Sequence, residues 1–327
     1  MPSPAPLVRV VRSGLEESIH LGHVAVCDAD GRLLAAAGDP HRPVFARSSM
    51  KPLQAAVSLR RIDADLPDDL VAVMCASHNA EPPHVRAVRR LLRAAGASEG
   101  SLRCPPALPW RPEDAARASR PRRIFYNCSG KHAGMVSACV GAGWPVETYL
   151  DVAHPLQREI LRAVRRATGV DRPLLGVDGC GVPVFGLPLS AMATLFARFT
   201  RPRRLGALAA TTALAVRAMG AHPFLVAGTG RTDSELMRVA PGVLSKGGAE
   251  ALHCAALRDR GVGVAVKVAD GGERASGPAM LRALDLLDAF TPAQRAELEP
   301  RFRRPVLGGG RPVGEIVSDF RLRRPRD

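Results

Sequence analysis

Arg47-Ser48-Ser49-Met50-Lys51 is a Ser-x-x-Lys arrangement followed at once by Pro52 and by an apolar stripe through Leu53, Ala56, Val57 and Leu59. Proline is best tolerated in the first turn of a helix, where its missing N–H is not needed. The stretch is therefore expected to open a helix with one buried face. A spacing of three puts the Ser48 hydroxyl and the Lys51 amine on one side of that helix, about 5–6 Å apart at Cβ. A lysine that loses its proton there can act as base for the serine, one of the few ways to activate a hydroxyl without histidine. The helix start adds free amides and a dipole that favour a developing negative charge. The same spacing also occurs on ordinary solvated helix faces, so composition has to weigh in.

Only four of the 46 basic residues are lysines, namely Lys51, Lys131, Lys246 and Lys267; the other 42 are arginines. A chain so biased fills ordinary surface positions with arginine. Arginine stays protonated and cannot serve as a general base, whereas a lysine can once burial or a cationic neighbour lowers its pKa. The four lysines sit in Ser48-x-x-Lys51, Cys128-Ser-Gly-Lys131-His132, Ser245-Lys246-Gly247-Gly248 and Val264-Ala-Val-Lys267-Val268, none of them within a run of charges. These are the positions at which to look for chemistry.

With 327 residues and 46% hydrophobic content, the chain can bury a sizeable core. No apolar run approaches the length that spans a bilayer, and Met1-Pro-Ser-Pro-Ala-Pro does not resemble a signal peptide. A cytoplasmic protein without membrane partners is expected. Seven widely spread cysteines are an odd number, which fits a reducing compartment better than a disulfide framework. Cys27 and Cys75, in apolar strand-like runs, read as core filler. The formal charge of +15 invites a nucleic-acid reading. The arginines are instead scattered along amphipathic stretches such as 85–95 and 158–167, and aromatics are only 4%. Few stacking platforms are left for single strands, and no specific nucleic-acid partner is expected.

In chain order, Val24–Cys27 and Arg32–Ala35 form a hairpin around an Asp/Gly turn. Leu70–Cys75 is a short apolar run that leads into Ala76-Ser77-His78-Asn79, where a plain capping turn competes with a functional serine. Pro82 and Pro83 open an arginine-rich helix to about Ala95. The Pro- and Arg-rich segment from Leu102 to Arg123 reads as an irregular surface excursion. Gly130-Lys131 suggests a phosphate loop, but that motif needs a glycine where Phe125 stands. Helices are expected over 133–141, 155–168, 191–198, 204–218 and 280–290. Strands are expected at 243–249 and 262–269, and a last one over 315–322 returning toward the N-terminal hairpin. Gly179 and Gly181 permit close backbone approach around Cys180. No repeat or domain boundary interrupts the chain, so residues 1–327 read as a single domain.

Ser48-x-x-Lys51, a serine at the end of an apolar run and a later Lys-Gly-Gly on a strand follow the order found in serine β-lactamases and penicillin-binding proteins. The finer pattern is more specific. Ala46-Arg-Ser-Ser-Met-Lys-Pro-Leu-Gln54, Cys75-Ala-Ser-His78, Asn127-Cys-Ser-Gly-Lys-His-Ala-Gly134, Asp178-Gly-Cys180 and Lys246-Gly-Gly-Ala-Glu250 resemble the rhizobial-type L-asparaginase (asparaginase II) family. The resemblance runs from about Val8 to Leu322. It implies an α+β fold of the serine β-lactamase type, an antiparallel sheet flanked by helices, in a homodimer. It implies catalytic Ser48 and Lys51 as one tandem and Ser77 and Lys246 as another. It further implies zinc held by Cys128, Lys131 and Cys180, and substrate lined by Arg47, His132 and Asp178, with Asp178 suited to the α-amino group. Two departures, Asn79-Ala80-Glu81 after Cys-Ala-Ser-His and the residue after Lys246, bear on substrate preference. Without the resemblance, Cys128 and Cys180 would read as a thiolate metal site or as two buried thiols.

The reading that follows is an L-asparaginase releasing aspartate and ammonia from L-asparagine. A glutaminase or another acyl-transfer hydrolase of the same fold is the alternative, and a non-enzymatic polyanion binder the more remote one. Lys267 is expected to be a buried lysine paired with an acid such as Asp270.

Overall fold

The computed structural model describes residues 3–325. Its strands are β1 (Ala5–Arg12), β2 (Leu15–Asp28), β3 (Leu33–Ala37), β4 (Pro43–Phe45), β5 (Leu174–Val177), β6 (Pro183–Pro188), β7 (Val243–Gly248), β8 (Leu252–Leu257), β9 (Val262–Val268), β10 (Arg304–Gly308) and β11 (Arg311–Val317). Its α-helices are α1 (Lys51–Leu59), α2 (Asp68–Met74), α3 (Pro82–Ala94), α4 (Pro112–Ala115), α5 (Ser129–Ala142), α6 (Pro155–Thr168), α7 (Leu189–Phe199), α8 (Ala209–Ala221), α9 (Pro223–Val226), α10 (Thr232–Val239), α11 (Glu273–Asp285) and α12 (Pro292–Phe302). Chain contacts group these into a sheet unit (residues up to Ser49, Gly186–Arg201, and from Leu236 on) and a helical unit (Met50–Phe185 and Pro202–Glu235).

The sheet unit is built on an antiparallel sheet ordered β10-β11-β1-β2-β9-β8-β7, with β3 on the far part of β2. Cβ-branched residues dominate its centre, where Val24 pairs with Val266 and Val26 with Val264. The end of β2 is buried on both faces, because α7 packs on β2 and β9. Gly263 permits that approach: a Cβ there would lie 1.9 Å from the Ala193 carbonyl oxygen of α7. Leu7, Val24, Val264 and Val266 share one core with Met280, Leu284 and Phe302 of α11 and α12. The hairpin expected at Val24–Ala35 is present as β2–β3. The returning C-terminal strand is present as β11, at 311–317 in place of the expected 315–322. It pairs along β1, with Val10 opposite Ile316, and the chain beyond it bridges Ala36 at Arg323.

In the helical unit, α1 packs on α5, α6 and α8, and α2 on α3, α5 and α8. Small residues bring α5 close to its neighbours. A Cβ on Gly130 would lie 2.1 Å from the Val73 carbonyl oxygen, and one on Gly141 2.1 Å from that of Arg61. Two expectations are corrected. The run Leu70–Cys75 is not strand-like; it is most of α2, begun by Pro67 and by Asp68 and Asp69 in the first turn. A continuous apolar run carries no period, and it is buried here among helices. The helix expected at 280–290 is α11, which starts at Glu273 and ends at Asp285, before Asp288 takes φ +51° and turns the chain.

An α+β fold with an antiparallel sheet flanked by helices is thus observed. All seven cysteines are free and buried, and Cys27 has its thiol pushed up to about 11, chiefly by burial. Among the described residues, no helix is long and apolar enough to cross a membrane. Gly130→Ala is expected to destabilise the protein by about 3 kcal/mol, the upper end of overpacking costs, because backbone has to move. Urea unfolding of the variant against wild type measures it.

Candidate active site

The chain enters α1 through a single 3-10 turn, Arg47–Met50, with Pro52 in the first turn of the helix. Arg47 takes φ +44°, a left-handed conformation uncommon for a residue with a side chain. Strand β7 supports this turn within the sheet unit. The Ser49 hydroxyl donates to the Lys246 carbonyl at 2.8 Å, and a Cβ on Gly248 would lie 3.1 Å from Arg47 Cβ and 3.3 Å from the Ser48 nitrogen. The Lys-Gly-Gly sequence therefore lets the strand end lie against the turn that presents Ser48. Ser48 and Arg47 are half-buried, whereas Lys246 is fully buried and donates to the Gly247 carbonyl at 2.7 Å.

In the helical unit, Lys51 is buried at the start of α1. Its amine donates to the Ala76 carbonyl at 2.5 Å and to the Ser77 hydroxyl at 2.8 Å. Burial lowers its pKa; the negative charge available at Cys128 opposes this, and Lys131 adds to it. The net shift is toward the neutral amine, the form a general base needs. Ser77 follows α2 directly, on a segment whose amides are held by Val226 (Ser77 N, 2.9 Å), Asn127 (His78 N, 3.0 Å) and Ala227 (Asn79 N, 3.0 Å). His78 is the plain member of this turn. Its Nδ1 accepts from the Ala80 amide at 3.1 Å and its Nε2 lies 3.0 Å from the Ser129 hydroxyl. Burial, together with His84 and Lys51, keeps its ring neutral.

The Asn-Cys-Ser-Gly-Lys-His string runs through the N-cap, Cys128, into the first turn of α5, and Asp178-Gly-Cys180 forms the turn between β5 and β6. Gly181, at φ +91°, closes that turn on the Asp178 carbonyl. The two pieces meet: the Lys131 amine donates to Cys180 Sγ at 2.9 Å, and Cys180 Sγ lies 3.6 Å from Asp178 Oδ2. Cys128 Sγ lies 3.1 Å from Asn127 Oδ1. Interaction with Cys180 holds the Cys128 thiol well below its ordinary range and, with burial, pushes Cys180 above it, so a single negative charge is favoured on the pair. Burial alone would lower Lys131, but the charges of Cys180, Cys128 and Asp178 outweigh it and the amine is raised. His132 is fully buried with Nδ1 2.6 Å from the Tyr149 hydroxyl; its Nε2 has no hydrogen-bond partner among the described residues.

Residues 8–318 match the L-asparaginase II family. The chain belongs to that family. It is an amidohydrolase of the L-asparaginase type, acting on a small-molecule substrate. No curated protein matches it significantly. Among solved structures, a β-lactamase from Mycobacterium bovis is similar over 83% of this chain and 95% of its own, at 18% identity and a TM-score of 0.44. The Bacillus subtilis glutaminase YbgJ, in covalent complex with 5-oxo-L-norleucine, is similar over 86% and 92% at 13% identity and a TM-score of 0.36. Likenesses this remote bear on neither the site nor the substrate.

The asparaginase II resemblance implies a zinc, and the donor set can be tested against it. Among the described residues, no group of three or more His, Cys, Asp or Glu side chains is arranged to hold a metal ion. The implied set is different, two thiols and the amine of Lys131. All three are buried, the Lys131 amine lies 2.9 Å from Cys180 Sγ, and the Cys128 thiol, which interacts with Cys180, is shifted toward its anion. Two soft sulfurs and a nitrogen fit a thiophilic divalent cation, which would displace the remaining protons.

Lys267 is corrected: its amine donates to the Glu250 and Val268 carbonyls, at 2.5 and 2.6 Å, while Asp270 bonds His20 at 2.7 Å. Tyr149, which orients His132, had no sequence signal as a site residue; Glu81, marked in the sequence only as part of a departure bearing on substrate preference, ties Asn79 to Thr229. Lys131→Met keeps the length of the side chain and removes its charge from the thiol pair. It is expected to cost about 3 kcal/mol in chemical denaturation, as for a buried pair that loses one partner.

Proposed function

We propose that the protein hydrolyses the side-chain amide of L-asparagine to L-aspartate and ammonia by a Ser-Lys mechanism. The observation that carries this reading is the buried Lys51 amine, lowered in pKa and 2.8 Å from the Ser77 hydroxyl. Neutral Lys51 accepts the proton of Ser48, three residues before it, as the Ser48 oxygen attacks the carboxamide carbon. Backbone amides at the start of the α1 turn stabilise the oxyanion. The tetrahedral intermediate collapses by breaking the C–N bond. The proton now on Lys51 passes to the leaving nitrogen through the hydroxyl of Ser77, and ammonia departs. Water then attacks the Ser48 ester, giving up a proton to Lys51, and aspartate leaves with the Ser48 hydroxyl restored. Lys246 supplies positive charge for the tandem with Ser77.

Arg47, His132 and Asp178 bind substrate in this reading, Asp178 taking the α-amino group and the Nε2 side of His132 offering a buried polar contact. Cys128, Lys131 and Cys180 would hold zinc. When bound, that ion supplies a fixed positive charge that helps hold the substrate. Serine already provides the nucleophile, so no metal-bound water is required. The same reading takes the protein as a cytoplasmic homodimer, which sedimentation of the purified chain tests for its oligomeric part.

Ammonia release from L-asparagine and L-glutamine, and turnover of a chromogenic β-lactam, separate this activity from its neighbours. Wild type is expected to favour asparagine, and Ser48→Ala to lose activity at least about a thousand-fold. Turnover of the β-lactam without ammonia release from asparagine would contradict the reading. Chelation is expected to raise KM for asparagine more than it lowers kcat, alongside loss of one zinc per chain by metal analysis.

A further inference from the structure

Glu81 occupies the N-cap of α3, where a side chain ordinarily accepts from the first free amides of its own helix. This helix opens with Pro82 and Pro83, which have no N–H to offer, and Glu81 makes no capping bond. Its carboxylate reaches elsewhere. Oε1 accepts from the Thr229 amide at 2.8 Å and from Asn79 Nδ2 at 3.1 Å; Oε2 accepts from the Thr229 hydroxyl at 2.7 Å and from Arg111 at 3.2 Å. All four partners are donors, so an amide in place of the carboxylate would turn its own N–H groups on some of them. Glu81 is buried. Burial would raise its carboxyl, but the bonds from Thr229, Asn79 and Arg111 outweigh this and hold it below the usual range.

What this carboxylate fastens is the segment that carries Ser77. Ser77 and Asn79 donate their amides to Val226 and Ala227, and Asn79 Nδ2 also donates to the Thr229 carbonyl at 3.0 Å. Arg231 donates to Asn79 Oδ1 at 3.1 Å. Gly228 leaves room for the arrangement: at φ +115°, a Cβ there would lie 2.5 Å from Glu81 Oε1 and 2.8 Å from Asn79 Nδ2. Both Lys51 hydrogen bonds named above end on the same segment, at Ala76 and Ser77. A shift of residues 76–79 would therefore move both partners of the amine together.

We propose that Glu81 is a positioning residue for the Lys51–Ser77 pair, acting by clamping residues 76–79 to residues 226–229. It touches neither reacting group. The assignment rests on the catalytic reading of Lys51 and Ser77, and adds the residue that sets their separation.

Four lysines in the chain make this measurable without substrate. Lysine labelled with 13C at Cε gives four resonances, and that of Lys51 is identified by its loss in Lys51→Arg. Glu81→Gln and Gly228→Ala attack the clamp from its two sides; Arg111→Met removes only a part-exposed partner. The first two are expected to displace the Lys51 resonance and leave those of Lys246 and Lys267 in place. They are also expected to lower kcat about 10- to 100-fold, as loss of a supporting partner does, with KM within about threefold. Arg111→Met should leave the resonance and kcat near wild type. An unmoved Lys51 resonance in both clamp variants overturns the proposal, as do shifts of all four resonances or an unchanged kcat beside a displaced Lys51. Wild type lacking activity on asparagine would instead refute the catalytic reading, a failure the resonances keep separate.

Discussion

A lysine amine held in the protein interior by a carbonyl and a hydroxyl is the constraint on which the helical unit depends. Burial of an ammonium without a carboxylate is costly, and the group answers by favouring its neutral form. Lys51 has two oxygen partners on one short segment, Ala76 and Ser77, and its pKa is lowered. The surrounding packing serves that placement. Pro52 follows the amine-bearing residue in the first turn of α1, and Gly130 brings α5 onto the carbonyl of Val73, just before Cys75-Ala-Ser77.

Lys131 lies in the same unit, equally buried, and is pushed the opposite way. The difference comes from what each amine faces. For Lys131 the charges of Cys180, Cys128 and Asp178 outweigh burial, whereas for Lys51, bonded to a carbonyl and a hydroxyl, burial outweighs the opposing charge of Cys128. Two lysines thus separate into a fixed cation and a candidate base by environment alone, as paired titratable groups do in other active sites. The cysteine pair matters to both amines, since its charge raises Lys131 and also opposes the lowering of Lys51.

Much of this could be read from residues in order. Scarce lysine among abundant arginine pointed to Lys51, Lys131 and Lys246, all of which are buried, whereas Lys267, given no catalytic role, bonds backbone carbonyls at a strand end. The helix expected around Pro155–Thr168, which contains the amphipathic stretch 158–167, is α6. Leu70–Cys75 was not legible from hydrophobicity, because a segment buried on every side has no period; Pro67-Asp68-Asp69 was the stronger signal. Glu81 stood out in sequence only as part of the Asn79-Ala80-Glu81 departure, and its tie to Thr229 was not legible, since an acid before two prolines looks like an ordinary cap. Its role comes from Thr229, almost 150 residues away in the chain and brought near only by the fold.

The most direct measurement is the rate of ammonia release from L-asparagine by Lys51→Arg beside wild type, with circular dichroism to show that both are folded. Arginine keeps the positive charge and cannot act as a base at any working pH. An active wild type and a folded Lys51→Arg slowed by about 100-fold or more, the range of a lost general base, is the expected result. A folded Lys51→Arg that retains activity within a few-fold of wild type would show that no neutral lysine is needed at this position.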